Sequence, residues 1–306
     1  MKVIFGLGKL KIKKIYWPVV TIGVFDGLHR GHIKLLKETL RCARRIKGLS
    51  VVVTYWPHPK NKLSLYSLEH RLKLFKELGL DICIVLRFTK SFSRISAEAF
   101  IKKFLLKIKP RYIIVGGNFH FGRSAKGTPE LLERLSKIYD FKLKVVRVVK
   151  LKKKTISSTE VRFLITQGRL KEAEELLSRP VTILGTVVKG GRWGRKLGFP
   201  TANIYPHHEV IPPAGVYIGR AFLNKNILKG LCYIGSRPTF TKFGKNIPNI
   251  NIEMHILDFN RNLYGKDLEI QFIKKIRDGR KFASLASLSQ QIKKDIKLSQ
   301  SYFNPP

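Results

Sequence analysis

Acidic residues are scarce in this chain: 20 Asp and Glu stand against 60 Lys and Arg in 306 residues, a formal charge of +40 at neutral pH. An excess on that scale raises the question of a polyanionic partner. The lysines, however, alternate with isoleucine and leucine through most of the chain, as in Lys11-Ile-Lys-Lys-Ile15 and Lys142-Leu-Lys144, and form no single tail or stripe. No recognised nucleic-acid-binding module accompanies them, so a nucleic-acid partner is not expected. Cysteine is rarer still. Cys42, Cys83 and Cys232 are odd in number, widely separated and without C-x-x-C spacing, which argues against a disulfide framework or a zinc site and for buried reduced thiols. No apolar run approaches the ~18 residues of a membrane helix. The opening Met1-Lys-Val-Ile-Phe-Gly-Leu-Gly-Lys9 is too short, and too soon interrupted by lysine, for a signal peptide. The expectation is a cytoplasmic protein with no membrane partner. Hydrophobic residues are plentiful at 44%, enough to bury the cores of two ordinary domains.

The first half alternates strand-like and helical patterns. Strand-like segments at 19–24, 50–55, 82–86, 112–115 and 143–148 are separated by helical spacing, which predicts a parallel sheet with helices on both faces. In such sheets ligands bind beyond the carboxyl ends of the strands. Unusual residues fall there three times. After the first strand, Thr21-Ile-Gly-Val-Phe-Asp-Gly-Leu-His-Arg-Gly-His32 leads into a helix with Ile33, Leu36, Leu40 and Ala43 at helical spacing. His29 and His32 stand at the start of that helix, where free backbone amides and imidazole donors suit phosphate oxygens. Taken alone, an H-x-x-H is more simply two surface histidines; here Gly23, Phe25, Asp26, Gly27 and Gly31 surround the pair. After the second strand, Thr54-Tyr-Trp-Pro-His-Pro59 stiffens a loop around His58 with Pro57 and Pro59. After the fourth, Val115-Gly-Gly-Asn-Phe-His-Phe-Gly122 carries Asn118 and offers Phe119 and Phe121 for stacking. A further piece, Ile156-Ser-Ser-Thr-Glu-Val-Arg162, has capping-box spacing at Ser157 and Glu160, which alone would explain it. It also gathers Ser158, Thr159 and Arg162 at another helix N-terminus.

Helical spacing continues through Gly168-Arg-Leu-Lys-Glu-Ala-Glu-Glu-Leu-Leu177, with Leu170, Ala173 and Leu177 on one side, and the character changes near Arg179-Pro180. The expected domains are 1–180 and 181–306. Short β-rich runs at 181–189, 216–222, 228–234, 251–257 and 268–273 predict a small antiparallel barrel, closed by a helix over 284–296. Between the first two runs, Gly190, Gly191, Gly194 and Gly198 alternate with Arg192, Arg195 and Lys196, a loop whose amides and charges can wrap a polyphosphate. A Gly/Arg linker is the alternative. Phe199 and Pro200 follow, then Thr201 and Asn203, whose oxygens point the same way on an extended chain and are hard ligands suited to Mg²⁺. In Ile250-Asn-Ile-Glu-Met-His-Ile-Leu257 the alternation puts Asn251, Glu253 and His255 on one face and the apolar residues on the other.

These segments resemble, in order from Pro18 to Asp295, the motifs of the prokaryotic bifunctional riboflavin kinase/FAD synthetase family, within the wider H-x-G-H nucleotidyltransferases. The matching patterns are G-x-F-D-G-x-H-x-G-H, T-[FY]-x-P-H-P, V-G-x-[DN]-F-x-F-G, I-S-S-T-x-[IV]-R, G-F-P-T-A-N, [NV]-x-E-x-H-[IL], L-Y-G at Leu263-Tyr-Gly265 and R-x-E-x-K-F at Arg277-Asp-Gly-Arg-Lys-Phe282. Gly117 and Gly279 stand where acidic residues are usual, and His120 where arginine or threonine is common. The resemblance implies a Rossmann-like parallel α/β nucleotidyltransferase domain, then a small antiparallel β-barrel kinase domain with a C-terminal helix. It implies a transferase that makes FMN from riboflavin with ATP and Mg²⁺, releasing ADP, and FAD and pyrophosphate from FMN and a second ATP. On the adenylyltransferase side it assigns ATP to Gly23, Phe25, Asp26, Gly27, His29, His32, Asn118, Ser158, Thr159 and Arg162, with Arg162 stabilising transition-state charge. Flavin falls to Pro57, His58, Pro59, Phe119 and Phe121. On the kinase side ATP falls to Gly190, Gly191, Arg192, Gly194, Arg195, Lys196, Gly198, Phe199, Pro200, Thr201 and Asn203. Thr201 and Asn203 hold the metal, Glu253 is the base, and Arg277 and Phe282 contact flavin. Two other readings stay open: a kinase with an inactive N-terminal module, whose mark would be a damaged H-x-G-H or S-S-T-x-x-R, both intact here, and a basic nucleic-acid-binding protein with steeply salt-dependent affinity and no flavin product.

Overall fold

The computed structural model describes residues 1–8, 16–59, 63–152, 154–191, 193–207, 209–224, 226–236 and 250–304. It divides into two compact units, Met1–Val161 and Arg162–Pro306. In the first, strands β1 (Lys2–Phe5), β2 (Val19–Ile22), β3 (Ser50–Trp56), β4 (Ile82–Arg87), β5 (Tyr112–Gly116) and β6 (Lys142–Val146) form one sheet in the order β1-β4-β3-β2-β5-β6. Every neighbouring pair is parallel. A parallel sheet needs both faces covered, and side-chain alternation supplies two cores. Val20, Ile22, Val51, Val53 and Ile84 enter one cluster, while Val19, Val52, Cys83, Val85 and Ile114 enter the other.

Helices α1 (Arg30–Arg45) and α2 (Leu68–Glu77) bring Leu36, Leu40, Ala43 and Phe75 to the second cluster. The short α3 (Lys90–Ser93) and α4 (Ala97–Phe100), with α5 (Pro129–Ser136), bring Phe92, Phe100, Leu132 and Leu135 to the first. A small ribbon, β7 (Lys150–Leu151) with β8 (Lys154–Thr155), leads to α6 (Ser158–Thr166). Six strands replace the five expected, because Lys2–Phe5 pairs beside β4 at the edge. Strand β2 lies between β3 and β5. The chain leaves β2 toward β3 and β4 and returns on its other side as β5, so the crevice between β2 and β5 is the topological switch point.

The second unit begins in the latter part of α6 and continues through α7 (Leu170–Leu177), where Leu170, Ala173 and Leu177 are buried as their spacing predicts. Strands β9 (Thr182–Val188), β10 (Ala202–Pro206), β11 (Gly215–Leu223), β12 (Asn226–Ser236), β13 (Ile250–Ile256) and β14 (Asp267–Arg277) close an antiparallel barrel in the order β10-β13-β12-β11-β14-β9. The expected five runs lacked β10, which closes the ring by pairing with both β9 and β13. A short α8 (Trp193–Lys196) lies in the connection between β9 and β10. The closing helix α9 (Leu285–Phe303) is longer than the segment expected, and starts with a Ser284/Ser287 capping box. Its Ile296 and Phe303 cover Val216, Ile218 and Leu231 on the outside of the barrel. Its Asp295, 5% exposed, accepts hydrogen bonds from Nε and Nη2 of Arg277 at 2.7–3.1 Å. No described helix is long and apolar enough to cross a membrane.

Candidate active sites

In the first unit, the turn after β2 is built from unusual backbone. Phe25, Gly27 and Leu28 take positive φ angles of 54°, 77° and 41°, and Asp26–Leu28 form a 3-10 turn before α1. What holds this strained turn is packing. The Phe25 ring, 1% exposed, lies over Gly23, where an added Cβ would come within 3.1 Å of it, and meets Phe75 and His32 edge-on. Buried Asp26 accepts the Leu65 amide at 2.7 Å and the Tyr66 amide at 3.3 Å, and its Oδ2 is 3.7 Å from His58 Nε2. The Ser158 hydroxyl donates to the Asp26 carbonyl at 2.8 Å. Three segments that are distant in sequence therefore meet on one aspartate.

His29 caps α1. Its Nδ1 accepts the His32 amide at 3.4 Å, an arrangement that leaves the N–H on Nε2. The His29 and His32 rings stack with centroids 3.7 Å apart and planes 17° from parallel. Gly31 suits the same geometry, since a Cβ there would lie 3.2 Å from the His29 ring and press on it. The result is a pair of imidazoles at a helix N-terminus, at the carboxyl edge of the sheet and beside the switch point. Such a place favours a bound anion.

The loop after β5 runs past Gly117 and Asn118, both exposed, to Phe119 and Phe121, whose rings stack at 5.3 Å. Phe121 is buried in the core against Phe100, so Phe119 is the outer ring of the two. Pro57 and Pro59 follow β3 on the same edge of the sheet. Ser157 Oγ accepts the Glu160 amide at 3.2 Å, the forward half of the capping box, and Thr159 lies in the first turn of α6. Arg162 follows one turn after Ser158, where the division between the two units falls.

Sequence reasoning missed Arg71. It lies on α2, 1% exposed, with its guanidinium donating to the Val24 carbonyl at 2.5 Å, Thr54 Oγ1 at 2.9 Å and the Tyr55 carbonyl at 3.2 Å, and over the Trp56 ring at 5.6 Å. Burial pulls its pKa down and the charge of Asp26 opposes that shift. It ties the ends of β2 and β3 together beneath the site. In sequence it reads as one more cation on an amphipathic helix.

In the second unit, Glu253 is central. Its Oε2 accepts the Thr201 hydroxyl at 2.9 Å and its Oε1 the Asn251 amide at 2.7 Å. Asn203 stands opposite it in register across β10 and β13. Along β13, Ile252, Met254 and Ile256 are buried while Asn251, Glu253 and His255 are partly exposed, as the alternation predicts. His255 Nδ1 is 2.9 Å from the Pro200 carbonyl. Gly190 lies so close to Asn203 that an added Cβ would overlap the amide, and one on Gly194 would sit 2.5 Å from the Phe199 carbonyl. The Phe199 amide bonds back to the Gly194 carbonyl at 2.7 Å, which winds the loop over the start of β10.

A cavity of about 370 Å³ opens here, lined by Gly190, Arg195, Pro200, Thr201 and Asn203. Phe259, Asn260, Arg261, Asn262 and Tyr264 form its other wall, and only the last belongs to a motif picked out in the sequence. The polar Asn260-Arg-Asn262 run directly after β13 is the signal that was available. Gly191, Gly194, Lys196, Gly198 and Phe199 belong to the same loop without lining the cavity, and Arg192 lies outside the described residues. Arg277 is held by Asp295 and lies 5.8 Å from the centre of the Phe282 ring.

Fold and sites together define a two-module class: a nucleotidyltransferase-type α/β unit followed in one chain by a kinase-type barrel. Comparison with known proteins agrees. The FAD synthetase family model matches residues 13–160 and the riboflavin kinase model residues 177–303. The bifunctional riboflavin kinase/FMN adenylyltransferase of Buchnera aphidicola subsp. Schizaphis graminum (strain Sg) is 36% identical over 99% of both chains. The protein of that description from Escherichia coli (strain K12) is 34% identical over 99% of this chain and 98% of its own, and that from Bacillus subtilis (strain 168) 33% identical over 94% and 92%. A crystal structure described as a macrolide-efflux protein from Streptococcus pneumoniae superposes with a TM-score of 0.80 at 28% identity, covering 98% of this chain and 99% of that one. The chain belongs to the bifunctional riboflavin kinase/FMN adenylyltransferase family.

Proposed function

We propose that the chain makes FAD from riboflavin in two ATP-dependent steps, with residues 1–180 assigned to adenylyl transfer and 181–306 to phosphorylation. The observation that carries the reading is Glu253, hydrogen-bonded to the Thr201 hydroxyl and opposite Asn203; those two partners line the cavity, and Glu253 stands behind them without lining it. In the kinase step Glu253 takes the proton of riboflavin's terminal ribityl hydroxyl. The hydroxyl oxygen bonds to the γ-phosphorus of ATP, the bond from that phosphorus to the β-phosphate bridge breaks, and ADP leaves. Arg195 and Gly190 line that cavity and are the groups assigned to the polyphosphate, with Gly191 next to them in the same loop.

Thr201 and Asn203 offer one hydroxyl and one amide oxygen, hard donors that suit Mg²⁺ shared with phosphate oxygens. Among the described residues no group of three or more His, Cys, Asp and Glu gathers into a protein cage. When bound, Mg²⁺ neutralises charge on the transferring phosphate.

In the adenylyl step an oxygen of the FMN phosphate attacks the α-phosphorus of a second ATP and pyrophosphate leaves. His29, His32 and the amides at the start of α1 hold phosphate oxygens. Ser158 and Thr159 sit at the second helix N-terminus, and Arg162 balances charge in the transition state. Asn118 completes the ATP side, while Pro57, His58, Pro59 and Phe119 face flavin with Phe121 as support. Asp26 acts by fixing the turn. No covalent enzyme intermediate is needed. ATP as co-substrate of both steps supports a cytoplasmic setting. The test is to incubate the full chain with riboflavin, ATP and Mg²⁺ and to resolve the flavins: FMN followed by FAD supports the reading, and an unchanged riboflavin pool overturns it.

A further inference from the structure

Tyr233 is an exposed aromatic side chain of the barrel that this chemistry leaves unused. Tyr233 on β12 is 37% exposed, while its neighbours Cys232 and Ile234 are buried on the inside. In register it stands opposite Glu253, and Glu253 stands opposite Asn203. A row Asn203, Glu253, Tyr233 thus crosses three strands on one face, with neighbouring Cβ atoms about 5 Å apart.

Gly235 sets the ring, and Gly279 lies at its edge. An added Cβ on Gly235 would collide with the Tyr233 ring and hydroxyl, so the side chain lies back along its own strand over bare backbone. A Cβ on Gly279 would sit 3.8 Å from the edge of the ring and 4.0 Å from its hydroxyl, which is ordinary van der Waals contact. Tyr233 therefore spans from the Glu253 row to the segment between Arg277 and Phe282. In that segment Arg280 stacks over Phe282 at 4.9 Å. An open aromatic face, placed between the Glu253 carboxylate on β13 and buried Val216 on β11, is complementary to a flat conjugated ring that carries a polar chain on one side.

We infer that Tyr233 is the platform on which the isoalloxazine ring of riboflavin rests while its ribityl hydroxyl reaches Glu253. Tyr233 is then the residue that favours a flat heteroaromatic alcohol over a bare sugar alcohol. This inference rests on the kinase reading of the Glu253 site. It adds a residue to that reading that no motif of the chain picks out, and the ring's position depends on Gly235 lacking a side chain.

The test is steady-state phosphorylation by the full chain, with KM measured separately for riboflavin and for ATP, together with the quenching of flavin fluorescence on binding. Tyr233→Ala raises KM for riboflavin about tenfold, about 1.4 kcal/mol, with kcat and the ATP KM held, and weakens the quenching. Tyr233→Phe keeps the parent values. Tyr233→Leu, which retains apolar bulk without an aromatic face, behaves as the alanine variant does and decides the matter if that variant fails to fold. Gly235→Ala displaces the ring without removing it and also raises the riboflavin KM. An unmoved riboflavin KM in Tyr233→Leu, or equal rises in both KM values, overturns this inference alone. Absence of FMN from the unaltered protein sinks the kinase reading and this inference with it.

Discussion

Glu253 and Arg71 are charged side chains that the fold treats in opposite ways. Glu253 stays partly exposed, with one oxygen on a hydroxyl and the other on an amide, so a proton can reach it. Arg71 is sealed, and spends its guanidinium on the ends of β2 and β3. Removing it takes the guanidinium from the Thr54 hydroxyl and the Tyr55 carbonyl, leaves the Val24 carbonyl with the Thr54 hydroxyl as donor, and removes a charge that acts on Asp26. Arg71→Met should therefore lower stability by about 2–4 kcal/mol, read as a fall of the first melting transition by scanning calorimetry. An unmoved transition would mean that the buried guanidinium contributes nothing. The cysteines make a second prediction at this scale. Burial raises the pKa of the Cys42 thiol, pushes that of Cys83 up to about 12 and raises that of Cys232 as well. All three stay protonated as pH rises to 8, so iodoacetamide should leave the native protein unlabelled and modify three thiols after unfolding in guanidinium. Labelling of the native chain at the rate of free cysteine would contradict their burial.

At the scale of the element, the connection from β9 to β10 has no room to spare at two of its glycines. Gly190 meets the Asn203 side chain and Gly194 the Phe199 carbonyl, so neither position has room for a methyl group. Gly190→Ala should displace Asn203 and reduce riboflavin phosphorylation by about 10²-fold, with FAD formation from supplied FMN unchanged. Equal loss of both activities would point to general unfolding. Strand β10 was also the part of the barrel hardest to find in the sequence. Its Ala202-Asn-Ile-Tyr-Pro206 carries Asn and Pro, which disfavour strands, and it follows a glycine-rich loop. Only its pairing with β9 and β13 makes it a strand. Strand β1 escaped for a simpler reason, having only four residues, at the sheet's edge and at the start of the chain before Gly6-Leu-Gly8. The central strands were legible because Val19–Ile22 and Ser50–Trp56 are apolar on both faces, as a covered parallel sheet demands. The His29/His32 turn was legible from its glycines, whereas Arg71 and Tyr233 were not, since burial on a helix and exposure on a barrel are decided by packing and leave no local pattern.

For the whole molecule, the central claim is that one chain holds two separate phosphate sites performing different attacks. One is a histidine-capped helix at the head of a parallel sheet, the other a carboxylate and hydroxyl on the face of a closed barrel. His29 and His32 belong to the first compact unit, and Thr201, Asn203 and Glu253 to the second. The charge of +40 suits substrates that are polyphosphates at both steps without choosing between them. A choice between the sites requires variants that silence one and spare the other. Glu253→Gln keeps the shape of the side chain but cannot accept the proton, which should lower riboflavin phosphorylation by about 10²–10⁴-fold. The paired His29→Asn and His32→Asn changes strip the imidazoles from the helix start. The most direct measurement is the rate of FMN formation from riboflavin and of FAD formation from supplied FMN, in the Glu253→Gln chain and in the paired-histidine chain. Two independent sites predict a crossover, with the first variant making FAD but little FMN and the second making FMN but little FAD. Loss of both activities in either variant, or of neither, would contradict the account.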